Sequence, residues 1–145
     1  MKHFLLLFFF AGLFFLGCSK EEKRLESYNS QAFAYDIGNY WEVNASTRIK
    51  GFKQDENEGN YSASLTYDIH LVKPAGDTLF ALISRVKDLE DNEVMMDVPI
   101  EIQFEIDSTY SAGGYSVIFS VKDVNTEQTA VSSADFNIDE REIYN

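Results

Sequence analysis

The chain has 145 residues, and its 24 acidic side chains outnumber its 12 basic ones, which gives a net charge of −12 at pH 7. A chain this acidic is not expected to bind nucleic acid or anionic lipid headgroups, because both need a cationic footprint on the protein. Cys18 is the only cysteine, so no intramolecular disulfide can form and the folded domain must be held together by packing.

The negative charge is concentrated in the second half of the chain. Residues 18–87 carry nine basic and ten acidic side chains, whereas residues 88–145 carry two basic and fourteen acidic ones. The acidic half could attract a basic partner or bind cations, and a role in solubility explains such a charge equally well.

The first residues combine a positive charge, an apolar run and a small residue. Lys2 precedes the apolar run Phe4–Leu16, which ends at Gly17. This arrangement is typical of a secretory signal peptide, and the run is shorter than the roughly 20 residues that a membrane-spanning helix needs. We therefore predict a signal peptide over residues 1–17, with cleavage after Gly17.

With a cysteine at the cleavage point, this segment resembles the signal peptide of a bacterial lipoprotein. The resemblance rests on Phe15, Leu16, Gly17 and Cys18, and it implies that the cleaved protein carries lipid on Cys18 and is attached to a membrane through it. Phe15 and Leu16 depart from the aliphatic and small residues usual at these two positions. The alternative is an ordinary buried cysteine on an apolar helix.

Ser19, Lys20, Glu21 and Glu22 follow the cysteine directly. They resemble the export signal that sends lipoproteins of the Bacteroidota to the outer cell surface. No aspartate adjoins Cys18, so the inner-membrane retention signal of enterobacterial lipoproteins is absent. The resemblance implies a lipid anchor in the cell outer membrane with the protein exposed at the surface, and a periplasm-facing anchor is the alternative.

Residues 18–39 have mixed charge and no clear period, which predicts a flexible tether, although Ala32–Tyr35 could form a helical turn or an extra edge strand. From Tyr40 onward the period of the apolar residues is two, as in half-buried strands. We predict one β-sandwich domain over residues 40–138 and a charged C-terminal tail over residues 139–145.

The alternation of apolar and polar residues predicts about seven strands with no helix among them, a pattern typical of an all-β, antiparallel sandwich. It is strongest over Val98–Ile106, where Pro99 lacks a backbone N–H and places the strand at a sheet edge. Leu79–Val86 is apolar on both parities, which predicts either a strand buried on both faces or one whose register cannot be assigned. The acidic residues 88–92 that follow are predicted as a loop.

The last two predicted strands resemble the closing hairpin of immunoglobulin-like and fibronectin-like modules on bacterial surface proteins. The resemblance covers Gly114–Asp123 and, after a hairpin, Ala134–Phe136. It concerns the fold alone and implies an immunoglobulin-like sandwich. The cysteine pair of the immunoglobulin family proper is missing.

Parity also sorts the large aromatic and aliphatic side chains. Four aromatic residues share the inward parity and are predicted to lie in the core: Trp41, Tyr61, Tyr67 and Tyr115. Phe52, Phe80 and Ile118 have the opposite parity and could mark where a second layer, a neighbouring subunit or a ligand packs. A bulge at Gly51 would reverse the parity of Phe52.

His70 is the only histidine that follows the signal peptide, and it shares the outward parity of its strand with polar residues. A lone exposed histidine cannot supply a multi-histidine zinc site, and a catalytic triad would need its ring oriented in a pocket. We predict that His70 is a surface residue without a catalytic role.

The acidic loops offer oxygen atoms, which are the ligands that Ca²⁺ takes. The favoured candidates lie in the acidic half, at Asp88, Glu90, Asp91 and Glu93. The EF-hand template fails at an earlier loop because, counted from Asp55, glycine falls at position five instead of six. Since solvated turns are commonly acidic, no metal or other cofactor is predicted.

No set of residues predicts a catalytic site. Glycoside hydrolysis by two carboxylates would need a cleft, and sandwich surfaces rarely form one unaided. We predict that the protein is not an enzyme and has a binding or assembly role with an envelope protein partner. The alternatives are a surface module that binds carbohydrate or calcium, and a hydrolase.

Overall fold

A computed structural model describes residues 23–140, which form eight strands paired antiparallel in two sheets. The strands are β1 (Glu26–Asp36), β2 (Tyr40–Lys50), β3 (Asp55–Asn57), β4 (Asn60–Val72), β5 (Thr78–Asp91), β6 (Asp97–Asp107), β7 (Gly113–Asp123) and β8 (Thr129–Ile138). The predicted all-β sandwich is confirmed. None of the described residues builds a helix that is long and apolar enough to cross a membrane.

The strand order is that of an immunoglobulin-like sandwich. One sheet has the order β1-β2-β6, and the other runs β4-β7-β8 with β5 on the far side of β4 and the short β3 paired to the start of β4. In the immunoglobulin scheme, strands A and B share a sheet with E, while C, F and G form the second sheet. β4 corresponds to strand C, and β5, which pairs with it, corresponds to the additional edge strand of variable-type domains.

The core lies between the sheets because alternate residues of each strand point to opposite faces. Seven fully enclosed apolar side chains come from β2, β4 and β7: Val43, Ile49, Leu65, Ile69, Val117, Phe119 and Val121. The predicted core aromatics Tyr67 and Tyr115 are buried, Trp41 packs against the core, and Tyr61 is half-buried.

β1 lies where the sequence predicted part of a flexible tether, so the tether is wrong for Glu26–Asp36, while the alternative of an extra edge strand at Ala32–Tyr35 is confirmed. The strand pairs with β2 over most of its length, and Leu25 just before it is buried. Its period is hidden in the sequence because the register shifts between Tyr28 and Gln31, where Asn29 has a φ of 52°. The sandwich therefore begins near Leu25 instead of Tyr40.

β5 differs most from its prediction. It is an edge strand with an exposed outer face and a half-buried inner face, not a strand buried on both faces. Leu79, Ile83 and Leu89 of the inner face pack against the core. The strand continues to Asp91 through residues predicted as a loop. The apolar content of Leu79–Val86 could not distinguish the centre of a sheet from its edge, because periodicity does not report a strand's neighbours. β6 lies at a sheet edge, as Pro99 predicted.

The turn after β2 depends on Gly51, which has a φ of 77°. A Cβ at this position would lie 2.0 Å from the carbonyl oxygen of Arg24, so only glycine lets the two chain segments approach this closely. After this turn Phe52 points into the core, which confirms that its parity is reversed there.

Candidate functional site

β5 leaves one edge open in the part of the chain that the structure describes. It has 14 residues and pairs through its other edge with β4. An unpaired strand edge presents a row of backbone N–H and C=O groups to which another strand can bind. We call the stretch Ile83–Asp91, where pairing with β4 is regular, the open edge.

A bulge bounds the open edge on its N-terminal side. Three residues of β5, Phe80–Leu82, stand opposite the single residue His70 of β4. Ala81 has a φ of 51° and donates its backbone N–H to His70 Nδ1 at 2.8 Å. The Phe80 ring contacts the imidazole edge to face, with 5.5 Å between the ring centroids. His70 thus faces outward, as predicted, and stabilises the bulge; with Nδ1 accepting, the proton of the neutral ring is on Nε2.

Apolar side chains are exposed on the outer face of β5. Phe80 is 77% exposed, Val86 63% and Leu82 39%. Ile118, which is paired with His70 across the sheet, is half-buried on the same face. Of the three outward apolar residues found by parity, Phe52 therefore joins the core, while Phe80 and Ile118 lie on this outer surface.

Two cations lie on the other face of the open edge. Arg85 and Lys87 pair with Tyr67 and Leu65 of β4 and so share the face of these core residues. Arg85 is nevertheless exposed and Lys87 half-buried. Neither forms an ion pair with any residue from 23 to 140.

The outer face of the first sheet shows the contrast, because its cations are paired. Arg48 donates from Nε to Asp97 Oδ2 at 3.1 Å and from a terminal nitrogen to Oδ1, and the Tyr28 hydroxyl donates to the same carboxylate. These hydrogen bonds, that of Arg48 first, lower the pKa of Asp97 to about 2. Lys50 pairs with Glu26 at 2.9 Å.

A groove of about 500 Å³ lies at one end of the sandwich, between the β4–β5 turn and the β6–β7 loop. Its lining residues are Lys73, Pro74, Ala75, Asp77, Thr109, Tyr110, Ser111 and Tyr115. The Lys73 ammonium lies 5.5 Å from the centroid of the Tyr110 ring. The groove combines one aromatic face with charged and hydroxyl side chains.

Tyr115, at the start of β7, closes this end of the sandwich. Its hydroxyl donates to the Ser111 carbonyl oxygen at 2.6 Å, and its ring stacks on Phe136. Burial, and then the charge of Tyr110, raise the pKa of Tyr115. A buried tyrosine bonded to the backbone just upstream is the tyrosine corner of immunoglobulin-like sandwiches. The core position of Tyr115 was predicted from the sequence, whereas its hydrogen bond to Ser111 was not.

The structure separates the calcium candidates. Asp88 accepts a hydrogen bond from Ser64 Oγ at 2.7 Å, and Asp91 accepts one from the Glu93 N–H at 3.2 Å. Asp88 and Glu90 share one face of β5, while Asp91 has the opposite parity. Within residues 23–140, no three His, Cys, Asp or Glu side chains are grouped as metal ligands.

Asp123, the last residue of β7, is a buried carboxylate. It is 1% exposed and accepts the backbone N–H of Lys53 at Oδ2 and that of Asn125 at Oδ1, both at 2.8 Å. It thereby ties the β2–β3 connection to the β7–β8 turn. An aspartate that bonds the backbone two residues on is a local turn signal, which could have identified half of this role.

Gly17, Cys18 and residues 19–22 lie outside the described residues. The predicted cleavage, lipidation and export residues therefore stay predictions.

Neither a protein-family model nor a curated protein matches the chain. A solved structure from Clostridium perfringens, a family 123 glycoside hydrolase studied for the hydrolysis of glycolipid glycans, is similar over 69% of this chain, with 11% sequence identity and a TM-score of 0.47. The similarity spans 21% of that enzyme, about a fifth of its length. At this identity and TM-score it supports no statement about activity.

Proposed function

We propose that the chain is an outer-membrane lipoprotein, anchored by lipid on Cys18 and exposed at the cell surface, whose sandwich binds an envelope protein partner without catalysis. The observation that supports binding is the exposure of Phe80, Leu82 and Val86 on a strand with an open edge. Exposed apolar side chains grouped in this way are typical of protein-interaction sites, because association removes them from water.

The anchoring part of the proposal is supported by the signal-like segment that ends at Gly17 and Cys18. Its test is Cys18→Ser, which removes the thiol that would carry lipid. We expect this variant to leave the membrane fraction, while the control Ser19→Ala stays in it. Membrane association of both variants would contradict the lipid anchor.

The binding part can be tested with two matched positions. Val86 on β5 and Val131 on β8 are both 63% exposed and face outward from the same sheet, at its opposite edges. A photo-crosslinking residue is introduced at either position of the full chain in intact cells. We expect a discrete adduct with one envelope protein from position 86 and none from position 131. Equal adduct formation, or none at position 86, would contradict binding at β5.

The groove at the end of the sandwich favours a second candidate, a carbohydrate-binding module. Tyr110 offers an aromatic face, with Lys73, Asp77 and Thr109 around it as hydrogen-bonding groups, the combination typical of small-molecule sites. Retention of the full chain on a glycan array should then be lost in Tyr110→Ala and kept in Tyr35→Ala, which changes an exposed tyrosine on β1. Failure of the unchanged chain to bind any glycan would rule this candidate out.

A further inference from the structure

We infer that the open edge of β5 binds an extended acidic segment of the partner protein as an added strand. The inference rests on the proposed function and specifies the chemistry of the partner. It is carried by three features that coincide at Ile83–Asp91: regular backbone geometry, two cations on one face that form no ion pair within residues 23–140, and an exposed apolar residue on the other face.

The first feature is the geometry of the edge. Nine consecutive residues of β5 pair in register with β4, from Ile83 opposite Ile69 to Asp91 opposite Tyr61. Nine strand residues extend about 30 Å, enough for an added strand of ordinary length. The bulge at Phe80–Leu82 interrupts this geometry, so the added strand is confined to the C-terminal part of β5.

The second feature is a pair of neighbouring cations on one face of the edge, which also carries Asp88, Glu90 and Asp91. Arg85 and Lys87 lie two residues apart on one face, about 7 Å from each other along the strand. Four other described cations each have a carboxylate partner: Arg48, Lys50, Lys53 and Lys122. In an added strand, two side chains two residues apart would lie beside Arg85 and Lys87, and acidic residues there would form cross-strand pairs. The residue between them would lie beside Val86, where an apolar side chain fits.

The same cations disfavour a second copy of this chain in the registers that bring them together. In a two-fold antiparallel pairing of β5 with itself, a register centred on Val86 places Arg85 opposite Lys87 twice. Registers centred on Arg85 or on Lys87 place each of these residues opposite its own copy. Like charges directly opposite each other are destabilising, and inward-facing charges are a known protection of strand edges against self-pairing. A register centred on Asp88 instead places Arg85 opposite Asp91 twice and Asp88 opposite its own copy, so the repulsion between the cations applies to the registers centred on Arg85, Val86 and Lys87.

The test uses the full-length protein in detergent micelles and two synthetic nine-residue peptides of alternating valine and threonine. One peptide has glutamate at two neighbouring positions of one parity, and the other has lysine there. We expect the acidic peptide to bind and to slow hydrogen exchange at every second backbone amide of Ile83–Asp91, since alternate amides face the open edge. The lysine peptide should protect none of them.

Charge reversal supplies the control. The double variant Arg85→Glu, Lys87→Glu should lose the acidic peptide and gain the lysine peptide. The double variant Lys53→Glu, Lys122→Glu changes the net charge equally and should keep the original preference. Melting curves of both variants verify that each is folded. Absence of alternating protection, or a preference that charge reversal at β5 leaves unchanged, would overturn the inference.

The two proposals fail separately. An adduct from position 86 in cells, together with no alternating protection by the acidic peptide, would keep partner binding at β5 and overturn the acidic strand. Absence of any adduct from position 86 would overturn the proposed function itself, whatever the peptide does.

Discussion

At the scale of single residues, Asp123 shows how a buried charge can serve the fold. Its carboxylate accepts backbone N–H groups from two loops that lie 70 residues apart in the chain. Asp123→Ala leaves these donors without their partner, and we expect it to lower the free energy of unfolding by about 1–3 kcal/mol in urea titrations. Asp135→Ala, an exposed acid on β8, should change it by less than about 0.5 kcal/mol. Equal losses would contradict this role.

The tyrosine corner gives a second prediction at this scale. Tyr115→Phe keeps the ring stacked on Phe136 and removes the hydrogen bond to Ser111. We expect a loss of about 1 kcal/mol in the free energy of unfolding, the ordinary net value of one such bond. Tyr110→Phe, which changes the neighbouring tyrosine of the groove, is the control. An equally large loss in Tyr110→Phe would show that the loss in Tyr115→Phe does not come from the hydrogen bond to Ser111.

Asp97 predicts a dependence of stability on acid pH. Its pKa in the folded protein is lowered from 3.8 to about 2. A lowered carboxyl pKa stabilises the folded state above the unfolded value, and this contribution is lost as the pH falls from about 3.8 to about 2. Between these limits the free energy of unfolding should fall further in the unchanged protein than in Asp97→Asn, when unfolding curves of both are measured at each pH. Equal losses in the two proteins through this window would contradict the pairing with Arg48.

The outward position of His70 could be predicted from the sequence, whereas the burial of Asp123 could not. Alternation within one strand fixes which face a residue is on, so the outward position of His70 follows from local information. Burial of Asp123 depends on the approach of Lys53 from a distant loop. A local pattern of acidic and amide residues cannot report that approach.

At the scale of elements, the turn after β2 fixes how β1 docks. We predict that Gly51→Ala is more destabilising than Gly76→Ala. Both glycines have positive φ, 77° and 90°, which costs an alanine about 1–2 kcal/mol. A Cβ at position 51 would clash with the carbonyl oxygen of Arg24, whereas nothing lies within 4 Å of a Cβ at Gly76. Thermal unfolding of the two variants measures the difference, and equal melting temperatures would contradict it.

The elements also differ in how far they could be predicted. β6 was predicted well because Ile100, Ile102 and Ile106 are buried while alternate residues are exposed, and this half-burial produces a period of two. Of β1 only Ala32–Tyr35 was predicted as a strand, and as an alternative, because the bulge at Asn29 breaks the period. The assignment of β5 as buried on both faces failed because an edge strand can carry exposed apolar residues on its outer face.

At the scale of the whole molecule, the fold class follows from the sequence, but the interaction surface does not. Half-buried strands such as β2, β4, β6, β7 and β8 leave a period of two in the sequence, whereas the open edge of β5 exists only once β4 has paired with its other side. That Arg85 and Lys87 form no ion pair within residues 23–140 likewise depends on which acids the fold brings near them. The proposed placement in the envelope rests on the sequence of residues 1–22.

One measurement directly tests the central claim, which is that a folded sandwich lies outside the cell and is attached through Cys18. Cys18 is the only cysteine and would be blocked by lipid, so Val131→Cys would introduce a single accessible thiol on β8. Ala134→Cys, at a buried position of the same strand, is the matched control and should react only after denaturation. In intact cells, a membrane-impermeant maleimide should label Val131→Cys as fully as in broken cells. Labelling that begins only after the outer membrane is permeabilised would contradict surface exposure.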